Sequence, residues 1–129
     1  MSRINVRTSL PAEYEVGQGY GKVAWDVRAI WENYSGWFHH RSTTELYPVG
    51  FDAVSADVVE LAGADALVDR AREHLDAERP LHAIHLAELA PADHSGAREV
   101  LRAAHEKLLA DTTNFWERAW LTEQIASYQ

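Results

Sequence analysis

The chain has 129 residues, which is the length of one domain, and its 47% hydrophobic composition is enough to build a core. Its formal net charge of −8 disfavours a nucleic-acid partner, because a protein that binds phosphate backbones needs a basic surface. The absence of cysteine excludes disulfides, thiolate metal ligands and cysteine nucleophiles.

The amino-terminal residues 1–18 are polar and contain Pro11, which disfavours a helix just before it. They contain no apolar segment of a secretory signal, and no stretch of the sequence approaches the roughly 18 apolar residues of a membrane span. We therefore predict an extended arm over residues 1–18, a helical domain over residues 19–129, a cytoplasmic location and no membrane partner.

The first predicted helix lies after Gly19 and belongs to the most aromatic part of the chain. Its apolar face is formed at positions i, i+3, i+4 and i+7 by Val27, Ile30, Trp31 and Tyr34. Gly36 is typical of the end of such a helix. Residues 36–50 are predicted as an ordered connection with one helical turn, since Ser42 and Glu45 have the spacing of a capping box.

Helical signals continue to the end of the chain. Five more helices are predicted, at about residues 52–62, 64–78, 80–90, 93 or 95–110, and from 114 onward. Gly63 and Pro91 end two of them, and Asn114 with Glu117 has the spacing of an amino-terminal cap. No segment alternates with period two, so no strand is predicted. The predicted fold is all-α, with five to six helices in an antiparallel bundle of helical hairpins.

Residues 64–110 have the order helix, short turn, helix, proline, helix, with small residues at the expected helix crossings. This order is similar to one tetratricopeptide-type unit followed by a further helix. One such unit cannot bury both of its faces. The missing surface must come from the first helix, the last helix or a second subunit, so we expect a homodimer.

Large aromatic side chains are the first candidates for packing in the core or against a second subunit. They are predicted to lie in the core or in a dimer interface: Trp25, Trp31, Tyr34, Trp37, Phe38, Trp116 and Trp120. Both interpretations stay open, because aromatic residues are enriched in interface cores as well as in domain cores.

The sequence His39-His40-Arg41 is a candidate anion site or proton-transfer site, and the alternative is an ordinary surface loop. Arg28 is placed either to pair with Glu32 one helical turn away or to bind an anion at the edge of a cleft.

Histidines His82 and His85 could place two metal ligands on one helix face, with Glu88 one turn further. A stable site would need a further ligand from elsewhere, so a half-exposed helix face is the favoured interpretation. The remaining helical histidines are predicted to be solvated: His74, His94 and His105.

Four segments together resemble a known domain. They are YGKVAWDVRAIW at residues 20–31, YSGWF at residues 34–38, VELAGA at residues 59–64, and the segment from Trp116 to Leu121. The sequence resembles the dimerisation domain of alkylsulfatases, which are bacterial zinc hydrolases of the metallo-β-lactamase fold. The resemblance implies a helical, tetratricopeptide-like domain that pairs two subunits and helps to wall the substrate cleft of the adjoining zinc domain.

The sequence departs from that family at several positions. Trp25 stands where the family has a histidine that is a candidate proton donor, and Asp26 stands where it has an asparagine. A tryptophan side chain cannot supply a proton in general acid catalysis. The zinc-binding motif His-x-His-x-Asp-His of these hydrolases occurs nowhere in the chain. The chain itself is therefore expected to hold no cofactor, and zinc is expected only in a separate catalytic domain.

Three hypotheses for function follow. The leading one is a dimerisation and accessory domain of an alkylsulfatase-like hydrolase. The second is a subunit that completes the active site of a zinc-dependent sulfate-ester hydrolase, with an anion bound by Tyr20, Arg28, His39, His40 and Arg41. The third is a helical module that binds a small ligand through its aromatic side chains.

Overall fold

The computed structural model describes residues 19–129, which contain six α-helices, one short 3₁₀ helix and no strand. The α-helices are α1 (Val23–Ser35), α2 (Asp52–Ala62), α3 (Ala64–Asp76), α4 (Pro80–Ala87), α5 (Ser95–Asp111) and α6 (Phe115–Ser127). The predicted all-α fold is confirmed within residues 19–129. The arm predicted over residues 1–18 lies outside the described residues.

Two glycines end helices as the sequence predicted. Gly36 follows α1 with φ of 74°, and Gly63 separates α2 from α3 with φ of 84°. Side chains with a Cβ atom rarely adopt this left-handed region, so glycine suits both positions. The connection after α1 contains the predicted helical turn, a 3₁₀ helix at Thr43–Leu46, and Ser42 accepts a hydrogen bond from the backbone of Thr44.

Two helices end earlier than predicted. Helix α3 stops at Asp76 because Glu78 has φ of 55°, which no α-helix can continue through. Helix α4 stops at Ala87, and the amides of Leu89 and Ala90 then form tighter i to i+3 hydrogen bonds before Pro91. A proline disfavours the α conformation at the residue before it, so this helix ends before Pro91.

Helices α3, α4 and α5 pack against one another and form the core. The buried hydrophobic residues of this core are Val68, Ala71, Ala83, Ala87, Ala90, Ala97, Val100 and Leu101. Five of these eight residues are alanine, so the helix backbones approach closely and little volume is left between them. Helix α6 packs on α5, and α2 contacts α3.

The hydrogen bonds of His94 fix the start of α5. Its Nδ1 atom accepts a hydrogen bond from the backbone of Ala97, and its Nε2 atom lies 2.9 Å from a carboxylate oxygen of Asp65 at the start of α3. Since Nδ1 is an acceptor, the proton of the neutral ring is on Nε2, which donates to Asp65. The amino-terminal ends of α3 and α5 are therefore tied together.

Residues 19–67 contribute no buried side chain, although they carry many large apolar residues. Neither α1 nor α2 contains a buried residue, and the α1 backbone lies alongside no other helix in the described part of the chain. Within residues 19–129, no helix is long and apolar enough to cross a membrane.

The close alanine packing gives a test of the core. Replacing Ala83, which has no exposed surface, by leucine is expected to lower the free energy of unfolding by about 1–3 kcal/mol, because three more carbon atoms must enter a filled space. Urea unfolding measures the change. The matched control is Ala110→Leu on the exposed side of α5, which is expected to change stability by less than about 0.5 kcal/mol. Equal effects of the two substitutions would contradict this packing.

Candidate interaction surface

The start of α1 is attached to the start of α6, and we call this contact the α1–α6 junction. The backbone amide of Phe115 donates to the carbonyl oxygen of Gly19 at 2.5 Å, and the Nδ2 atom of Asn114 donates to the carbonyl oxygen of Gly21 at 3.1 Å. Asn114 is 1% exposed and its Oδ1 atom also caps α6 by accepting from the amide of Glu117. One buried side chain therefore serves two helices.

Glu117 completes this junction electrostatically. Its carboxylate forms an ion pair with Lys22 and accepts a hydrogen bond from the hydroxyl of Thr112. Partial burial alone would raise the pKa of the Glu117 carboxyl, but the hydrogen bonds from Lys22 and Thr112 and the charge of Lys22 lower the pKa below its usual value. The ion pair is therefore favoured at neutral pH.

An open groove lies beside the junction, with a volume of about 550 Å³. Three of the predicted contact residues meet there, namely Trp25 from α1 and both Trp116 and Trp120 from α6. Their side chains remain 43%, 59% and 62% exposed, so they lie outside the core of the single chain. The sequence did not predict that these three tryptophans would share one site.

His105 lies in the same groove and differs from its prediction. It was expected to be solvated, but it is only 5% exposed, and its ring packs against Tyr128 with the centroids 5.5 Å apart. Its Nδ1 atom donates to the carbonyl oxygen of Leu101 at 2.7 Å. Ala97, Leu101 and His105 are spaced by four residues, and this spacing on the buried face of α5 is the signal that predicts burial.

The remaining aromatic candidates lie along α1 and just after it. Trp31 and Tyr34 are 59% and 85% exposed on α1, and Trp37 is 67% exposed beyond its end. Phe38 is half-buried between the rings of Trp37 and His40. None of these side chains belongs to the core of the single chain, and their place in a dimer interface stays a prediction.

The predicted basic loop is held by one carboxylate. Glu45 accepts hydrogen bonds from the backbone amides of His39 and Arg41, and His40 has φ of 57° between them. Partial burial alone would raise the pKa of the Glu45 carboxyl, but the amide hydrogen bonds lower its pKa below the usual value. The loop is therefore ordered, and the side chains of all three basic residues are exposed.

The five predicted anion-binding residues do not come together in the single chain. Tyr20 lies before α1 and packs on Phe115, with the ring centroids 5.4 Å apart, whereas the basic loop follows the other end of α1. A helix of 13 residues is about 20 Å long, so α1 separates Tyr20 from His39. Arg28 forms the predicted ion pair with Glu32 at 3.1 Å.

A second histidine cluster lies where α3 meets α4. The rings of His74 and His82 stack with their centroids 5.2 Å apart, and His74 accepts a hydrogen bond from Arg79 at 2.9 Å. Burial, followed by the positive charges of Arg79 and His82, lowers the pKa of His74. Within residues 19–129, no group of three or more histidine or acidic residues is arranged to hold a metal ion.

The ion pair of Glu117 gives a pH-dependent test of the junction. Because its pKa is lower in the folded chain than its ordinary value of 4.5, the group contributes stability above about pH 4.5, and this stability is lost as the pH falls through the lowered pKa. Glu117→Gln is expected to lower the free energy of unfolding by no more than about 1 kcal/mol at pH 7. The difference from wild type should shrink toward pH 3 in urea unfolding.

The control for this test is Glu123→Gln, which changes the same charge at an exposed position of α6. It is expected to leave the unfolding curve unchanged at both pH values. A difference between wild type and Glu117→Gln that is as large at pH 3 as at pH 7 would show that the Glu117 charge does not stabilise the junction.

Comparison with known proteins identifies a matching family. The family described as alkyl sulfatase dimerisation matches residues 2–127. No curated protein and no solved structure matches the chain. The family supports a dimerisation or accessory role and suggests homo-oligomeric assembly. Since the match covers nearly the whole sequence, the resemblance is confirmed: the chain belongs to the alkyl sulfatase dimerisation family.

Proposed function

We propose that the chain is the homodimerisation and accessory domain of an alkylsulfatase-like hydrolase of the metallo-β-lactamase fold. The observation that carries this proposal is the absence of any buried side chain from residues 19–67. These residues form nearly half of the described chain, and alone they leave most of their large apolar side chains in water. A second copy of the domain provides the surface that covers them.

The exposed apolar side chains of this region are large. Those that follow Trp25 in the chain are Ile30, Trp31, Tyr34, Trp37, Leu46, Tyr47, Val49, Phe51, Val54 and Leu61, and we call them the amino-terminal apolar set. Soluble monomers rarely expose apolar patches above a few hundred Å², and aromatic residues are enriched in interface cores. The amino-terminal apolar set is therefore better suited to an interface than to a solvated surface.

The basic loop supports the accessory part of the proposal. His39, His40 and Arg41 are exposed, and their backbone is held by the carboxylate of Glu45. A guanidinium and two imidazoles on an ordered loop can donate hydrogen bonds to an oxyanion. In the proposed hydrolase this loop helps to wall the substrate cleft, and the zinc ion is held by the catalytic domain.

The second candidate function is a separate subunit that completes the active site of a zinc-dependent sulfate-ester hydrolase. The same basic loop favours it, because the loop presents its side chains outward. The two candidates differ in covalent connection, since the accessory domain belongs to the same polypeptide as the zinc domain and the subunit does not.

The mass of the protein in its native cell separates the two candidates. An antibody against this domain is expected to detect a polypeptide several times heavier than 14.5 kDa on a denaturing gel, because the zinc domain is attached. A polypeptide of 14.5 kDa would contradict the accessory domain and leave the separate subunit.

Dimerisation is tested directly by sedimentation velocity over a concentration series that reaches tens of micromolar. The chain is expected to form a dimer of about 29 kDa, which is twice 14.5 kDa. Trp31→Glu is expected to weaken the dimer about 30-fold or more, because a buried tryptophan at an interface typically contributes about 2 kcal/mol and its replacement adds a buried charge.

The control for the dimer test is Ala110→Glu, which adds the same charge at an exposed position of α5, outside residues 19–67. It is expected to leave the dissociation constant unchanged. Circular dichroism should show the same helical content for both variants. A wild-type chain that remains monomeric throughout the series would contradict the proposed function.

A further inference from the structure

The groove beside the α1–α6 junction has a different character from the amino-terminal apolar set. Helix α4 and helix α6 form its two walls, α5 forms its floor, and α1 contributes one tryptophan at its edge. Its apolar lining includes Trp25, Leu81, Ile84, Leu108, Trp116 and Trp120. The volume of about 550 Å³ falls within the range of about 300–1,000 Å³ that is typical of small-molecule sites.

A buried polar side chain gives the groove a specific hydrogen-bonding position. His105 is 5% exposed, and its Nδ1 atom already donates to the carbonyl oxygen of Leu101. In the neutral ring the other nitrogen, Nε2, is then an acceptor. No hydrogen bond to Nε2 occurs within residues 19–129, and no polar side-chain atom there is both sealed from solvent and unpaired. Nε2 is therefore an accessible acceptor on a residue that lines the groove.

The charged side chains of the groove favour a ligand with a positive charge. Its two carboxylates are Glu88 and Glu117. Glu117 is neutralised by Lys22, whereas Glu88 forms no ion pair within the described residues. Burial, followed by the charge of Glu88, raises the pKa of Tyr128, whose ring packs on His105. An anion in this groove would meet an uncompensated negative charge, and a cation would be attracted.

The groove edge already shows how an ammonium group is held. The Nζ atom of Lys22 lies 5.3 Å from the centre of the Trp25 ring and also pairs with the carboxylate of Glu117. An indole face and a carboxylate are together a favourable environment for a cation. Glu88 and His105, with the tryptophans of α6, offer the same kinds of group without a cation of their own.

We propose that the groove between α4 and α6 is a binding site for a small amphipathic amine, in which a protonated primary or secondary amino group is attached to an apolar chain or ring. The apolar part lies against the tryptophans and leucines. The ammonium group pairs with Glu88 and donates a hydrogen bond to Nε2 of His105. This site is separate from the basic loop, and the proposal does not depend on the function of that loop.

Three probes with the same eight-carbon chain test the proposal by isothermal titration calorimetry, each below its critical micelle concentration. Octylammonium is expected to bind saturably with one molecule per chain. Octyltrimethylammonium has no N–H group and is expected to bind at least threefold more weakly. Octyl sulfate is expected to show no binding that Trp120→Ala weakens. Octyl sulfate that binds as tightly as octylammonium, and whose binding Trp120→Ala weakens, would overturn the proposal.

Variants locate the site. Glu88→Gln is at an exposed position and is expected to weaken octylammonium binding at least fivefold without loss of folding. Glu60→Gln removes the same charge from an exposed position of α2 and is expected to have no effect, which separates the groove from general attraction to a chain with net charge −8. Equal effects of the two variants would overturn the proposal.

A second copy of the chain is the competing occupant of the groove. Trp120→Ala is expected to weaken octylammonium binding and to leave the dimer dissociation constant unchanged. Weakened dimerisation together with no saturable octylammonium binding would assign the groove to the second copy and overturn the proposal. If the wild-type chain does not dimerise but still binds octylammonium at Glu88, the amine site would be supported. Only the proposed dimerisation function would then be contradicted.

Discussion

The hydrogen bonds of Asn114 are the interaction on which the arrangement of the two halves depends. The α1 backbone packs beside no other helix within residues 19–129, so α1 is held mainly through its amino-terminal end. There the buried amide of Asn114 caps α6 and binds the carbonyl oxygen of Gly21. This places Trp25 at the edge of the groove and directs the rest of α1 away from the core. The attachment of α1 through Asn114 thus explains both the tryptophan at the groove edge and the exposed face of α1.

The helices could be predicted from the sequence because their signals are local. These signals are the glycines and prolines at helix ends, the spacing of apolar residues and the Asn114 cap. Each depends on residues within one or two turns, and together they predicted the number of helices and most helix ends. The departures also have local causes, since α3 ends early where Glu78 adopts a positive φ angle. The small residues Ala83 and Ala87 of α4, and Ala90 after its end, correctly indicated close helix approach, and all three are buried.

The candidate site could not be predicted in the same way, because it depends on contacts between distant segments. Trp25 and Trp116 are 91 positions apart, and no periodic pattern relates them. The burial of His105 was missed although its spacing on α5 indicated it, because its ring is covered in part by Tyr128 from the end of α6. Conversely, Tyr20 and the basic loop were predicted to bind one anion together, and the length of α1 keeps them apart in the single chain.

The position of the core also determines which helices can unfold locally. Within residues 19–129, all buried side chains belong to residues 68–121, so the amide hydrogens of α3–α5 should exchange with solvent only through large-scale unfolding. Those of α1 and α2, whose residues contribute nothing to that core, can exchange through local opening. Covering these two helices in an assembly would couple their opening to dissociation. Exchange in the first half of the domain would then depend on protein concentration, while exchange in the second half would not.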